Sequence, residues 1–126
     1  MAPTLLIVED EPELRTALRV RLTASGFICE TAGNGKEALA AIGRSRPDLV
    51  LADLLMPEMD GYTLCRHLRQ DKRLAGLPII VLSAVPRHAI ERVEELQASR
   101  IMHKPFDAAE LVAAIQDLLH EATSGG

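Results

Sequence analysis

Five residues with charged or reactive side chains directly follow or end apolar runs of this 126-residue chain. Glu9 and Asp10 follow the first run, Asp53 and Ser83 end the third and fourth, and Lys104 ends the last. Three carboxylates brought together would repel one another, since a pair about 4 Å apart costs roughly 4 kcal/mol at an effective dielectric constant of ~20. Lys104 supplies one compensating charge. Mg²⁺, which prefers oxygen ligands and keeps several waters, is suited to supply the remaining positive charge.

Apolar runs alternate with helical patterns along the whole chain, which explains how these residues could meet. The runs predict strands over 4–8, 27–32, 48–53, 77–83 and 99–104. The helical patterns fall at 12–26, 35–45, 61–71, 87–98 and 107–122. Five β–α units with short connections predict an α/β fold with a doubly wound parallel sheet. In such a sheet the working site lies at the carboxyl ends of the strands.

Composition and charge narrow the class of protein. Hydrophobic residues make up 48% and charged residues 25%, as in an ordered globular domain. We expect one domain over 1–122 and a flexible tail over 123–126. The net charge of −4 argues against binding of a nucleic-acid phosphate backbone by this domain. No stretch approaches a membrane span, and Cys29 and Cys65 are expected to be reduced, so a cytoplasmic protein is predicted.

The loop after the first run argues against a nucleotide site. Its sequence, EDEPE, has no glycine-rich or hydroxyl-rich cradle, and its negative charge would repel phosphate. Flavin mononucleotide on the same fold is disfavoured for the same reason.

Four short motifs occur in order along the chain: VEDE, DLLMPEMDG, LSA and KPF. In these residues the chain resembles the receiver domain of two-component response regulators, from Leu5 to about Leu119. The resemblance implies a flavodoxin-like receiver fold with strand order 2-1-3-4-5, similar to the bacterial chemotaxis response regulator.

The resemblance also implies roles for the acidic residues. Asp53 corresponds to the phosphoacceptor, which takes a phosphoryl group from a phosphohistidine. Glu9 and Asp10 correspond to the acidic pair that holds Mg²⁺ together with Asp53, with the backbone carbonyl of Leu55 as a further ligand. The segment MPEMDG then forms the turn into the third helix, with Asp60 a plausible N-cap.

The other two motifs supply the residues that contact the phosphoryl group. Ser83 corresponds to the hydroxyl that hydrogen-bonds a phosphoryl oxygen, and Lys104 to the lysine that pairs with the group. Pro105 corresponds to a proline that is often cis.

Three positions depart from the family pattern. Ile101 stands where a switching Tyr or Phe is usual, so any signal would travel by loop and helix shifts. Leu55 and Val85 occupy the two positions that flank the hydrolytic water, and neither can orient it. We therefore expect slow loss of the phosphoryl group.

The leading interpretation is a signalling module and not an enzyme that turns over substrate. Its expected partners are a histidine kinase or histidine phosphotransfer protein and a downstream protein or output domain. A homodimer is possible, with no direct nucleic-acid binding by this domain. Whether the chain is a stand-alone regulator or a piece of a larger protein stays open.

Two alternatives stand beside this interpretation. One is a receiver-like interaction domain that acts independently of phosphorylation, which only Ile101 favours. The other is an aspartate-nucleophile phosphatase of the haloacid dehalogenase type, but that class needs a second Asp where Leu55 stands.

Overall fold

The five strands form a single parallel sheet in the predicted order 2-1-3-4-5, numbered along the chain. The computed structural model describes residues 2–56, 59–85, 90 and 97–124. Its strands are Thr4–Val8 (β1), Ile28–Ala32 (β2), Leu49–Asp53 (β3), Ile79–Ser83 (β4) and Arg100–His103 (β5). All four strand pairings are parallel, so every strand ends at the same edge of the sheet.

Four α-helices and one short 3₁₀ turn connect or follow the strands in the described part of the chain. The α-helices are Pro12–Ala24 (α1), Gly35–Arg44 (α2), Gly61–Gln70 (α3) and Ala108–Ser124 (α4). The 3₁₀ turn at Lys72–Leu74 was not predicted. The helix predicted over 87–98 lies almost entirely outside the described residues. Helix α4 continues two residues into the segment 123–126 that was predicted as a tail, and the domain boundary at 122 stays a prediction.

The core consists of two apolar layers, one on each face of the sheet. Helices α2 and α3 pack on one face and helices α1 and α4 on the other. Strands β3 and β4 are buried along their whole length, which explains why their sequences are almost uninterrupted apolar runs. Cys65 lies in one layer, where burial raises the pKa of its thiol to about 11. Both cysteines are free. Among the described helices, none combines the length and apolar character that crossing a bilayer requires.

Helix α3 begins close behind the end of β3. The Asp60 side chain accepts a hydrogen bond from the Thr63 N–H at 2.9 Å, which makes it the N-cap that the sequence predicted. The Gly61 N–H donates to the Leu54 carbonyl at 2.7 Å. A Cβ at Gly61 would lie 2.9 Å from the Leu54 Cα and 3.0 Å from the Asp53 carbonyl oxygen. Only glycine therefore lets the helix start this close to the strand end.

We expect Gly61→Ala to lower the free energy of unfolding by about 1–3 kcal/mol, because the added methyl group forces backbone atoms apart. The matched control is Gly43→Ala in α2, where a Cβ meets nothing within 4 Å. That change should stabilise the protein by about 0.5–1 kcal/mol through the loss of backbone freedom in the unfolded chain. Urea titrations of the two variants measure both effects. An equal response at the two positions would contradict the close packing at Gly61.

Candidate functional site

Sheet register brings the predicted site residues together at the carboxyl edge. The register is set by three Cα pairs: Val8 with Ala52, Asp53 with Leu82, and Ser83 with His103. Because Glu9 follows Val8 and Lys104 follows His103, both come next to the ends of the central strands.

Three carboxylates form one cluster at this edge. An oxygen from each of Glu9, Asp10 and Asp53 lies within 4.8 Å of the others. Glu9 is only 1% exposed and Asp53 9%, whereas Asp10 is open to solvent. Partial desolvation raises the pKa of the Asp10 carboxyl, and a hydrogen bond and repulsion from Glu9 raise it further. The cluster therefore extends from the buried Glu9 carboxylate to the solvent-exposed Asp10 carboxylate.

The Lys104 ammonium group bridges the two buried carboxylates. Its Nζ lies 3.0 Å from Glu9 Oε1 and 3.3 Å from Asp53 Oδ2. Burial alone would lower the pKa of this lysine, but the hydrogen bonds and the attraction from Glu9 and Asp53 outweigh it, so the pKa is raised. Lys104 thus stays charged and offsets one of the three negative charges.

The donor set fits a hard divalent cation. Mg²⁺ prefers oxygen ligands such as carboxylates, and part of the negative charge of the cluster remains after Lys104 is counted. The exposed Asp10 leaves one side of the cluster accessible to water. Leu55, whose carbonyl the resemblance adds to the ligands, lies two residues beyond Asp53, and its side chain is 63% exposed. The residues present are therefore compatible with the predicted metal.

Backbone and side-chain donors fix the loop that carries the acidic pair. The Glu11 N–H donates to Glu9 Oε2 at 3.3 Å. Arg15, in the first turns of α1, donates from Nη1 to the Glu9 carbonyl at 2.9 Å. Sequence reasoning missed Arg15. Its place one turn into a helix that starts at the acidic loop is the signal that could have indicated it.

Ser83 lies at the site, but its hydroxyl is engaged within its own turn. The Ser83 Oγ accepts from the Val85 N–H at 2.9 Å and donates to the Val85 carbonyl at 3.0 Å. The residue is 1% exposed. A ligand on Asp53 would therefore compete with Val85 for the Ser83 hydroxyl.

The structure also shows two of the positions that depart from the family pattern, Ile101 and Val85, and the predicted cis proline. Ile101 and Val85 are half-buried and pack against the apolar layer that contains α2 and α3. The peptide bond between Lys104 and Pro105 is cis, at the position that the resemblance indicated.

Comparison with known proteins identifies the family. The family model of the response regulator receiver domain matches residues 5–116. The DNA-binding response regulator MtrA of Mycolicibacterium smegmatis is 39% identical over 118 residues, which are 92% of this chain and 50% of that protein. The chain spans about half the length of the curated relatives that it matches.

Solved structures agree with this family. The signal receiver domain of a histidine kinase from Syntrophus aciditrophicus is 37% identical, with a TM-score of 0.89, covering 94% of this chain and 91% of that one. The receiver domain of the sensor histidine kinase PA1611 from Pseudomonas aeruginosa, described with a magnesium ion in its active-site cleft, is 28% identical. Its TM-score is 0.88, and the match covers 95% of this chain and 99% of that one.

These comparisons correct the partners predicted from the sequence, which excluded direct nucleic-acid binding by this domain. That prediction is wrong, because the relatives include proteins named as DNA-binding regulators. It rested on the net charge of −4, which describes only the surface of this chain and cannot report on the rest of a longer protein. The sheet order, the acidic edge and the match over residues 5–116 agree, and the chain belongs to the response regulator receiver family.

Proposed function

We propose that this receiver accepts a phosphoryl group on Asp53 from a phosphohistidine of a sensor kinase or phosphotransfer protein. The proposal rests on one observation above all. A nearly buried carboxylate lies 3.3 Å from the Lys104 ammonium group and within 4.8 Å of two further carboxylates, at an edge where Asp10 meets solvent. A metal ion and a phosphoryl group would supply what this edge needs, namely positive charge for the carboxylates and a partner for Lys104.

The transfer is a substitution at phosphorus. A carboxylate oxygen of Asp53 forms a bond to the phosphorus atom, the bond from phosphorus to the donor's imidazole nitrogen breaks, and its electron pair returns to that nitrogen. Little covalent chemistry is required of the protein beyond aligning the nucleophile and placing positive charge on the phosphoryl oxygens. Asp53 is aligned because it ends a fully buried strand.

Lys104 supplies part of that positive charge. It already contacts Asp53, and its raised pKa keeps it protonated at neutral pH. Mg²⁺, held by Glu9, Asp10, Asp53 and the Leu55 carbonyl, would supply the remaining positive charge. The Pseudomonas aeruginosa receiver, described with magnesium in its active-site cleft, supports magnesium as the metal.

The Ser83 hydroxyl completes the proposed site after transfer. A phosphoryl oxygen on Asp53 is a stronger acceptor than the Val85 carbonyl, because it carries negative charge. We therefore infer that Ser83 exchanges its bonds within the turn for one to the phosphoryl group. This exchange alters the surface around Val85 and so alters contacts with other proteins.

The same geometry argues against a phosphatase that turns over substrate. Leu55 occupies the position where that class needs a second acid, so no side chain there can protonate a leaving group. The phosphoryl group accordingly stays on Asp53 as a signal.

The process controlled by this switch is proposed from the relatives. Because they include DNA-binding response regulators about twice as long as this chain, we propose DNA binding by a further region as the output. Phosphorylation of Asp53 would control that region through contacts with the receiver.

Incubation with acetyl phosphate and Mg²⁺ should add one phosphoryl group to the intact protein, measured by mass spectrometry. Asp53→Asn should abolish the addition, since an amide is a poor nucleophile, and so should removal of Mg²⁺. The matched control is Asp117→Asn on the exposed side of α4, which should be labelled like the wild type. Failure of the wild type to label with both acetyl phosphate and a phosphohistidine donor would favour the receiver-like domain that acts without phosphate.

Lys104→Met should lower the free energy of unfolding by about 1–3 kcal/mol in the absence of metal, because the buried Glu9 carboxylate loses its charged partner. The variant should also bind Mg²⁺ more tightly, since one positive charge has left the site. Thermal unfolding with and without Mg²⁺ measures both effects through the stability that ligand binding adds. The exposed Lys72→Met is the control. A smaller gain from Mg²⁺ in Lys104→Met than in the wild type would contradict the proposed charge balance.

The phosphorylated protein should persist for minutes or longer in the presence of Mg²⁺, because neither Leu55 nor Val85 can hold an attacking water. Replacing Leu55 with Gln supplies an amide that can orient water and should shorten the lifetime severalfold. Val20→Gln, at an exposed position on α1, controls for the added polarity. A wild-type lifetime of seconds would contradict the proposal.

A further inference from the structure

The turn that carries the Ser83 hydroxyl, here called the Ser83–Val85 turn, is held by His103, the last residue of β5, and by Lys104, which follows it. His103 is the register partner of Ser83 across the β4–β5 pair. The Lys104 N–H donates to the Ser83 carbonyl at 2.6 Å. One residue further along the turn, the His103 Nε2 lies 3.1 Å from the Ala84 carbonyl oxygen.

The direction of the second contact follows from its chemistry. A carbonyl oxygen can only accept, so the imidazole must carry a proton on Nε2 and donate it. A neutral ring with its proton on Nε2 can do this, and so can the protonated ring. The contact can therefore form with the ring in either charge state.

His103 lies on the same face of β5 as Ile101, because side chains alternate along a strand. Ile101 packs half-buried against the apolar layer, whereas His103 is exposed and reaches across to the turn. On this face of β5, the ring that contacts the Ser83–Val85 turn is therefore that of His103.

The contact restrains the turn in the arrangement that the structure shows. In the structure the Ser83 hydroxyl bonds to both backbone groups of Val85, at 2.9 and 3.0 Å. To donate its single proton to a phosphoryl group on Asp53, the hydroxyl must give up its bond to the Val85 carbonyl, which removes one of the bonds that hold the turn. A hydrogen bond that fixes the neighbouring Ala84 carbonyl opposes the rearrangement of the turn that this loss allows.

We propose that His103 is a positioning residue, which holds the Ser83–Val85 turn in the arrangement with Ser83 bonded to Val85 through its hydrogen bond to the Ala84 carbonyl. It thereby sets how readily the Ser83 hydroxyl becomes available to a group on Asp53. This inference rests on the proposed function, because it concerns the hydroxyl that would contact the phosphoryl group. A single hydrogen bond at an exposed position can bias such an equilibrium by at most about tenfold, equivalent to about 1.4 kcal/mol.

The role of His103 is tested by titration with beryllium fluoride in the presence of Mg²⁺. Beryllium fluoride forms an adduct on a carboxylate that resembles a bound phosphoryl group. Binding is followed by NMR of the intact ¹⁵N-labelled chain. The variants are His103→Leu, which cannot donate, and His103→Gln, whose side-chain amide can donate to the same carbonyl. His67→Leu, in the last turn of α3, is the matched control. Asp53→Asn shows whether binding requires the acceptor.

We expect His103→Leu to bind the adduct about three- to tenfold more tightly than the wild type. His103→Gln and His67→Leu should match the wild type. In the unliganded protein the Val85 amide should exchange with solvent faster in His103→Leu, because it is the group that Ser83 accepts from. A purely structural role would change the free energy of unfolding without changing affinity for the adduct.

Two results would overturn the inference while leaving the proposed function intact. One is equal affinity in the wild type and His103→Leu, and the other is weaker binding in His103→Leu. If the folded wild type binds no adduct at all, the proposed function fails and the inference falls with it. The wild-type titration thus separates the two failures.

Discussion

The burial of two carboxylates against one ammonium group is the constraint on which the rest of this site depends. Glu9 and Asp53 are almost completely removed from solvent, and Lys104 contacts both at 3.0 and 3.3 Å. Breaking such a group by removing one partner leaves a buried charge without compensation. Because Asp10 adds a third carboxylate within 4.8 Å, the lysine alone cannot neutralise the edge. The site is thus prepared for additional positive charge before any ligand arrives.

The parallel sheet makes this crowding possible. In the order β2-β1-β3-β4-β5, strand β3 lies between β1 and β4, so Asp53 at its end has the Glu9 loop on one side and Ser83 on the other. Lys104 reaches the group from the end of β5 across β4. The two apolar layers hold the strands in register, and their cohesion offsets the cost of placing like charges together. Helix α3 then begins at Gly61, so close to the end of β3 that no side chain fits at this position.

Much of this arrangement could be predicted from the sequence because it depends on patterns that act along a strand or a helix. The apolar runs that end just before Glu9 and at Asp53 and Ser83 indicated buried parallel strands, and Asp60 indicated the start of α3. The strand order came from the resemblance and not from periodicity. What escaped prediction depends on the direction in which individual side chains extend, which no periodic pattern encodes. Examples are the bond from Arg15 to the Glu9 carbonyl and that from His103 to the Ala84 carbonyl. The prediction about nucleic acid was wrong because it rested on the net charge of this chain, whereas relatives about twice as long are named as DNA-binding regulators.

Asp53 is proposed as the residue that carries the phosphoryl group, and chemical trapping tests this assignment most directly. Borohydride reduces an aspartyl phosphate to the corresponding alcohol, whereas it leaves phosphohistidine and free carboxylates unchanged. After incubation of the wild type with a phosphodonor and Mg²⁺, reduction followed by tandem mass spectrometry of the peptides locates the altered residue. We predict homoserine at position 53 and an unmodified Asp10. Homoserine at position 10, or labelling without any reducible residue, would contradict the assignment of Asp53.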